Sequence, residues 1–138
     1  MSKKIIFWLF GIVVLLLFIG FLPIFIGAGS CRPVNLTCSH MRVIKSTLKM
    51  FKLDNGVYPT TEEGFNALIK NPNPKKYSNY ASTAYLEKFP YDTWQNPMLY
   101  IHFKTDKRDD FQLISLGADG KYGGEKEHLD IIYPDSCR

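Results

Sequence analysis

Phe111-Gln112-Leu113-Ile114-Ser115-Leu116-Gly117-Ala118-Asp119-Gly120 runs from an alternating apolar segment straight into a glycine-rich acidic loop. Phe111, Leu113 and Ser115 fall on one side of the alternation and Gln112, Ile114 and Leu116 on the other, the period-two pattern of a strand. Just upstream, Met98 to Phe103 is rich in aromatic and branched residues and predicts a partner strand, joined to the first across the charged loop Lys104 to Asp110. Downstream, Leu129 to Tyr133 predicts a short third strand. Nearer the amino end the period changes. Met41, Ile44, Leu48 and Phe51 recur at spacings of three and four, which predicts an amphipathic helix from Met41 to Leu53 with Ser39 as its N-cap and Asn55-Gly56 at its end. Arg42, Lys45, Lys49 and Lys52 form a second stripe on that helix. It reads as a solvated face, with lipid headgroups or an acidic partner as the alternative.

Pro59 breaks the chain, and Thr60 to Glu63 has capping-box spacing, so hydroxyl and carboxylate each satisfy a free backbone N–H at the start of a second, shorter helix. Phe65, Leu68 and Ile69 give that helix its apolar face and Asn71-Pro72 stops it. Asn73 to Ser82 reads as an irregular surface loop. Helix first and antiparallel strands last makes an α+β domain with a helix packed on one face of a small sheet.

The 138 residues allow one modest domain, and the apolar residues are not evenly spread. From Ile5 to Ile26 every residue is apolar, Gly or Pro. Twenty-two residues make a helix of about 33 Å, enough to cross a hydrocarbon core of about 30 Å. Lys3 and Lys4 precede it and favour an amino end left in the cytoplasm. The expected division is therefore residues 1–30 as tip, transmembrane anchor or signal and linker, and 31–138 as the exported domain. Retention of the helix competes with cleavage in the small-residue run Gly27-Ala28-Gly29-Ser30, before Ser30 or Cys31. Ala28-Gly29-Ser30-Cys31 also has the outline of a lipoprotein box. Lys3 and Lys4 account for two of the 17 basic residues, which leaves 15 against 13 acidic ones, too small a surplus for the basic field that nucleic-acid binding requires.

Cys31, Cys38 and Cys137 flank the domain. Three thiols allow one disulfide. With lipid on Cys31 the pair is Cys38–Cys137, without it Cys31–Cys38 is an equal candidate, and three unpaired thiols remain the alternative. None has C-x-x-C spacing, so no zinc site is expected. His40, His102 and His128 are scattered without H-E-x-x-H spacing. Trp94, Tyr100 and His102 read as packing residues, and nothing points to an enzyme. After Gly120 come Gly123-Gly124, then Glu125, Glu127 and Asp130. Hard cations take six to eight oxygens from carboxylates and carbonyls, and Asp119 and Asp130 bracket a loop whose glycines allow carbonyls to turn inward. A glycine-rich turn with solubilising acids is the alternative.

Three stretches together resemble the major pseudopilin family of bacterial type II secretion systems, often called protein G. They are Leu53-Asp54-Asn55-Gly56-Val57-Tyr58-Pro59-Thr60-Thr61-Glu62-Glu63-Gly64, then Tyr85 to Pro90 followed by Asp92-Thr93-Trp94-Gln95-Asn96-Pro97, and Phe111 to Gly120. The resemblance spans roughly residues 41–133. It implies a pilin-like fold with a calcium-binding loop near the carboxyl end, the ion held at the positions of Leu116, Asp119 and Asp130, with His128 as a further carbonyl donor. It implies a single-pass protein of the bacterial inner membrane, its domain in the periplasm or outside the cell, and association with copies of itself, other pseudopilins and secretion-machine proteins. Gln95 stands where the family has Gly and Thr93 where it has Pro. The apolar run carries no glutamate, so the family's leader-cleavage motif and its acidic registry residue are not found, and Pro23 and Gly27 to Pro33 predict a break before the domain helix. A lipid-anchored or secreted interaction module, or an exported enzyme, on the same fold is the alternative reading.

Overall fold

The computed structural model describes residues 33–137. The apolar run, the division near residue 30 and Cys31 lie outside them. Among the described residues no helix is long and apolar enough to cross a membrane.

Helix α1, Pro33–Asn55, carries the domain. It begins earlier than the sequence pattern predicts, and Ser39 is not its cap. Proline fits the first turn because its missing N–H has no intrahelical partner there. Ser39 lies inside the helix, and its hydroxyl donates to the Asn35 carbonyl at 3.0 Å. Met41, Ile44, Leu48 and Phe51 are buried as their spacing predicts, and Gly56, with φ +78°, ends the helix by donating its N–H to the Lys52 carbonyl at 2.8 Å. The capping box forms: Thr60 N–H meets Glu63 Oε2 at 2.8 Å and Glu63 N–H meets Thr60 Oγ1 at 3.2 Å. It opens a set of turns that becomes helical only in α2, Asn66–Ile69.

Strands β1 (Leu99–Thr105), β2 (Arg108–Ser115) and β3 (Ile131–Tyr133) form one antiparallel sheet in that order. The expected seven-residue loop between the first two shrinks to Asp106 and Lys107, because Thr105 pairs with Arg108 and the ladder continues through charged residues to the tip. Such residues are accommodated where the hairpin leaves the core, since only the backbone ladder is needed there. Phe111, Leu113 and Ser115 face the core, as the alternation predicts, while Ile114 on the opposite face is buried as well.

Two further sequence expectations are corrected. Asn73 to Ser82 is irregular but not merely a surface loop. Tyr77 is 1% exposed, its ring stands edge-on to Phe51 at 5.0 Å, and its hydroxyl donates to Glu63. A tyrosine supplies apolar area at one end and a polar tip at the other, so a polar loop can cap a core with it. The basic stripe of α1 is not a simple solvated face. Arg42 donates to the Cys137 carbonyl at 2.7 Å, Lys45 to the Tyr133 hydroxyl at 3.0 Å, and Lys52 pairs with Asp109 at 2.9 Å while lying over the Tyr58 ring. These long side chains reach β2, β3 and the carboxyl-terminal turn Asp135–Cys137, covering apolar surface with their stems. Cys38 and Cys137 are joined by a disulfide, which ties the second turn of α1 to the end of the chain.

Candidate functional site

The loop between β2 and β3 starts from a buried carboxylate. Asp92 is 1% exposed, and both of its carboxylate oxygens accept hydrogen bonds. Oδ1 accepts from the backbone N–H groups of Trp94 and Asn96, both at 2.9 Å, and Oδ2 accepts from the Ser115 hydroxyl at 2.6 Å. A carboxylate accepting several donors folds its own segment into a turn and at the same time pins the last residue of β2. Asn96 carries the connection one step further by donating from Nδ2 to the Gly117 carbonyl at 2.8 Å. Asp92, Asn96 and Ser115 thus aim the loop. Sequence reasoning passes over them as site residues, although the Asp-x-Trp-x-Asn spacing is an Asx-turn signal.

Beyond Ser115 the backbone closes on itself. Gly117 has φ +64°, and a Cβ there would stand 2.7–2.9 Å from the carbonyl groups of His128 and Glu127. Gly124, with φ +96°, approaches the His128 carbonyl oxygen from the other side, within 2.5 Å of where its Cβ would be. Only glycine meets both demands, left-handed backbone and the absence of a side chain. Ala118 N–H donates to the Glu127 carbonyl at 2.8 Å and completes the crossing.

The predicted ligand positions are distributed around this crossing. Leu116 is half-buried at the start of the loop, between Ser115 and Gly117. Asp119 accepts from Lys121 N–H at 3.1 Å with one oxygen, and its other lies 3.6 Å from His128 Nδ1. Asp130 accepts from Gly123 N–H at 3.0 Å through Oδ2, while its Oδ1 is buried and has no hydrogen-bond partner. A buried carboxylate oxygen with nothing to accept from costs free energy unless a cation or proton meets it. Among the described residues no three His, Cys, Asp or Glu side chains gather as a metal cluster. Any cation here would therefore complete its shell with main-chain carbonyls, which suits a hard ion and not zinc.

Other ionisable groups are structural. A hydrogen bond from His102 at 2.8 Å, and then the bond from Lys52, hold the Asp109 carboxyl below the usual range. Burial pushes the Tyr100 phenol well above its ordinary value, and its hydroxyl donates to the Pro59 carbonyl at 2.9 Å. Cys38, bridged to Cys137, is no thiol nucleophile.

Among solved structures, the chain is similar to a crystal structure of the major pseudopilin from the type 2 secretion system of enterohaemorrhagic Escherichia coli. The match has a TM-score of 0.56 and 30% identity, and covers 81% of this chain and 95% of that one. Long helix, antiparallel sheet against it and glycine-rich loop between the last strands define a pilin-like domain. A family model described as "Type II secretion system (T2SS), protein G" matches residues 30–133. The type II secretion system core protein G of Pseudomonas aeruginosa is 42% identical over 102 residues, 71% of this chain and 68% of that protein. That of Vibrio cholerae is 38% identical over 88 residues, 64% of this chain and 59% of that protein. The chain belongs to the type II secretion system protein G family, whose members are structural pseudopilins and not enzymes.

Proposed function

We propose that this chain serves as a membrane-anchored pseudopilin-type component of a type II secretion system or a related machine. In this reading Ile5 to Ile26 holds it in the inner membrane as a single span, the domain stands in the periplasm or outside the cell, and it associates with other pseudopilins and machine proteins. Family membership over residues 30–133 carries the reading. Deleting the gene in its own bacterium and comparing the secreted proteins tests it. The expected result is loss of a defined set of exported proteins, restored by the intact gene, and an unchanged secreted set refutes the role.

The loop from Leu116 to Asp130 is read as a calcium site, supported above all by the buried, unpaired Asp130 Oδ1. Asp119 and Asp130 would supply charge and the carbonyls of Leu116 and His128 further oxygens. Bound calcium would add no chemistry beyond charge, stabilising the folded loop because the unfolded chain has no such site. Melting with calcium and then with a chelator checks this. Calcium should raise the melting temperature of wild type and leave Asp130→Ala unmoved, and no shift in wild type refutes the site.

A second reading, a lipid-anchored interaction module, is favoured by one observation. The Cys38–Cys137 bridge leaves Cys31 over, directly after Gly27-Ala28-Gly29-Ser30. The intact mass from native membranes separates it from the first.

A further inference from the structure

We infer that the hollow which α1 forms with β2 and β3 is a binding site for a phosphate-bearing anion, whether free phosphate or the headgroup of an anionic phospholipid. The hollow measures about 220 Å³ and is lined by Lys45, Lys49, Asp110, Phe111, Tyr133 and Pro134. The two lysines stand one turn apart on the same flank of α1, about 6 Å along its axis. Tyr133 reaches the hollow from β3, and Phe111, which is buried, comes from β2. None of the six belongs to the proposed calcium loop.

The lining is rich in donors and poor in acceptors. Lys45 donates to the Tyr133 hydroxyl at 3.0 Å, and its ammonium lies 5.3 Å from the centre of that ring. This neutral partner fixes Lys45 without cancelling its charge, and leaves the rest of its N–H groups to donate elsewhere. The phenol makes no other hydrogen bond among the described residues, so its own O–H is left to donate as well. Lys49 is exposed and makes no hydrogen bond or ion pair among the described residues. Asp110, the carboxylate in the lining, is already engaged: Oδ2 accepts from Arg108 at 3.0 Å and Oδ1 from the Phe111 N–H at 3.0 Å. Lys52, further along the same stripe, has its charge met by Asp109. Arg42 is held by a neutral oxygen, the Cys137 carbonyl, and adds its uncancelled charge to the row. An oxyanion answers this surplus. Donors on three separate side chains, with point-charge ammoniums in place of a flat guanidinium fork, suit a tetrahedral phosphate better than a planar carboxylate. Phe111 and Pro134 offer apolar surface to the ester carbons of a headgroup. Lys45 and Tyr133 already hold each other, so little side-chain freedom is lost on binding.

The test uses the full chain, reconstituted with vesicles of phosphatidylcholine alone or of equal parts phosphatidylcholine and phosphatidylglycerol. An amine-acylating reagent labels the lysines, and mass spectrometry reads each labelling rate with and without inorganic phosphate at constant ionic strength. Phosphate in the phosphatidylcholine vesicles should slow the labelling of Lys45 and Lys49 saturably and leave Lys75 and Lys88, both exposed, unchanged. Tyr133→Phe keeps the ring and should raise the phosphate concentration that half-protects Lys49 by about tenfold. Lys49→Gln, at an exposed position, should weaken the protection of Lys45 by a similar factor. Protection in the mixed vesicles without added phosphate identifies the lipid headgroup as the source, and protection by phosphate alone identifies the free anion. No protection in either arm, equal protection of Lys75 and Lys88, unchanged half-protection in both variants, or protection by a soluble acidic peptide and not by phosphate would each overturn the site.

Discussion

Replacing Cys38 and Cys137 together by alanine should cost the domain about 4–5 kcal/mol, most of it by releasing the unfolded chain. The bridge spans 99 positions of sequence, nearly the whole described domain, and loop-closure entropy gives about 4.7 kcal/mol for a loop of about 100 residues. A domain of this size has a total stability of only about 5–15 kcal/mol, so the bridge is worth a third of it or more. With an unfolding entropy of about 2.1 cal/mol/K per residue, the same loss lowers the melting temperature by about 20 °C. The folded state should change little. Arg42 still donates to the backbone carbonyl of residue 137, Lys45 still reaches Tyr133, and both cysteines are small. Urea unfolding of a soluble fragment starting at residue 33, wild type against the double variant, measures the difference directly. A loss below about 1.5 kcal/mol, with the sheet intact, would refute the reasoning, because it would mean that the reduced chain already keeps its ends together when unfolded. Wild type in reductant should track the double variant.

Three further outcomes are expected. Asp92→Ala leaves the Ser115 hydroxyl and the Trp94 and Asn96 N–H groups without their acceptor, and should cost about 3 kcal/mol in chemical denaturation, with faster hydrogen exchange in the loop after Ser115. Gln95 is exposed and holds φ +67°, a left-handed conformation that costs a side-chain-bearing residue about 1 kcal/mol, so Gln95→Gly should raise stability by up to about that amount, and any loss would locate a side-chain contact that outweighs the strain. Asp109 is held below the carboxylate range by His102 and then Lys52. Glu63 is held below it by Thr60 N–H, Tyr77 and Lys76, against the opposing effect of burial. Folded values below the unfolded ones mean that this stability is fully present above about pH 5 and is lost as pH falls through the folded values. Melting temperature should therefore be level down to about pH 5 and fall below pH 4, and Asp109→Asn should lower it at neutral pH while flattening the acid drop.

The helix core face, the three strands and the capping box were legible because each rests on local spacing: three and four for α1, two for β2, three for Thr60 and Glu63. Residues whose role depends on a distant partner were not. Tyr77 sits in a polar run, and only the fold brings Phe51 over its ring. The basic stripe reads as solvated because periodicity says which residues share a face but not what lies opposite. Here the carboxyl-terminal turn and the sheet edge lie there, and the disulfide helps to hold the turn in place. Among the candidate ligands, Asp119 and Asp130 were marked by composition. The residues that aim their loop, Asp92 and Asn96, lie more than twenty positions away and carry no sign of it beyond an Asx-turn spacing.

The two ends of that loop are secured by different means, and the difference predicts where it yields. Its beginning is fastened through Ser115 and Gly117 to the buried Asp92–Asn96 turn, and its end through β3, which pairs with β2 at Ile131, Ile132 and Tyr133 and leads to the bridged Cys137. Between them, from Asp119 to Leu129, nearly every residue is exposed and no large apolar side chain is buried. What keeps this middle in shape is the crossing of Gly117 and Gly124 over the His128 carbonyl, a contact of backbone against backbone with little hydrophobic area behind it. Segments of that kind open locally at a free energy far below global unfolding. Gly124→Ala would push the His128 carbonyl away and strain φ at one stroke. Its damage should therefore be confined to Asp119–Asp130, seen as rapid hydrogen exchange there and lost response to calcium, while the Asp92 turn, the sheet and the α1 core stay protected. Exchange spreading into β2 or α1 would show instead that the loop and the core open as one unit.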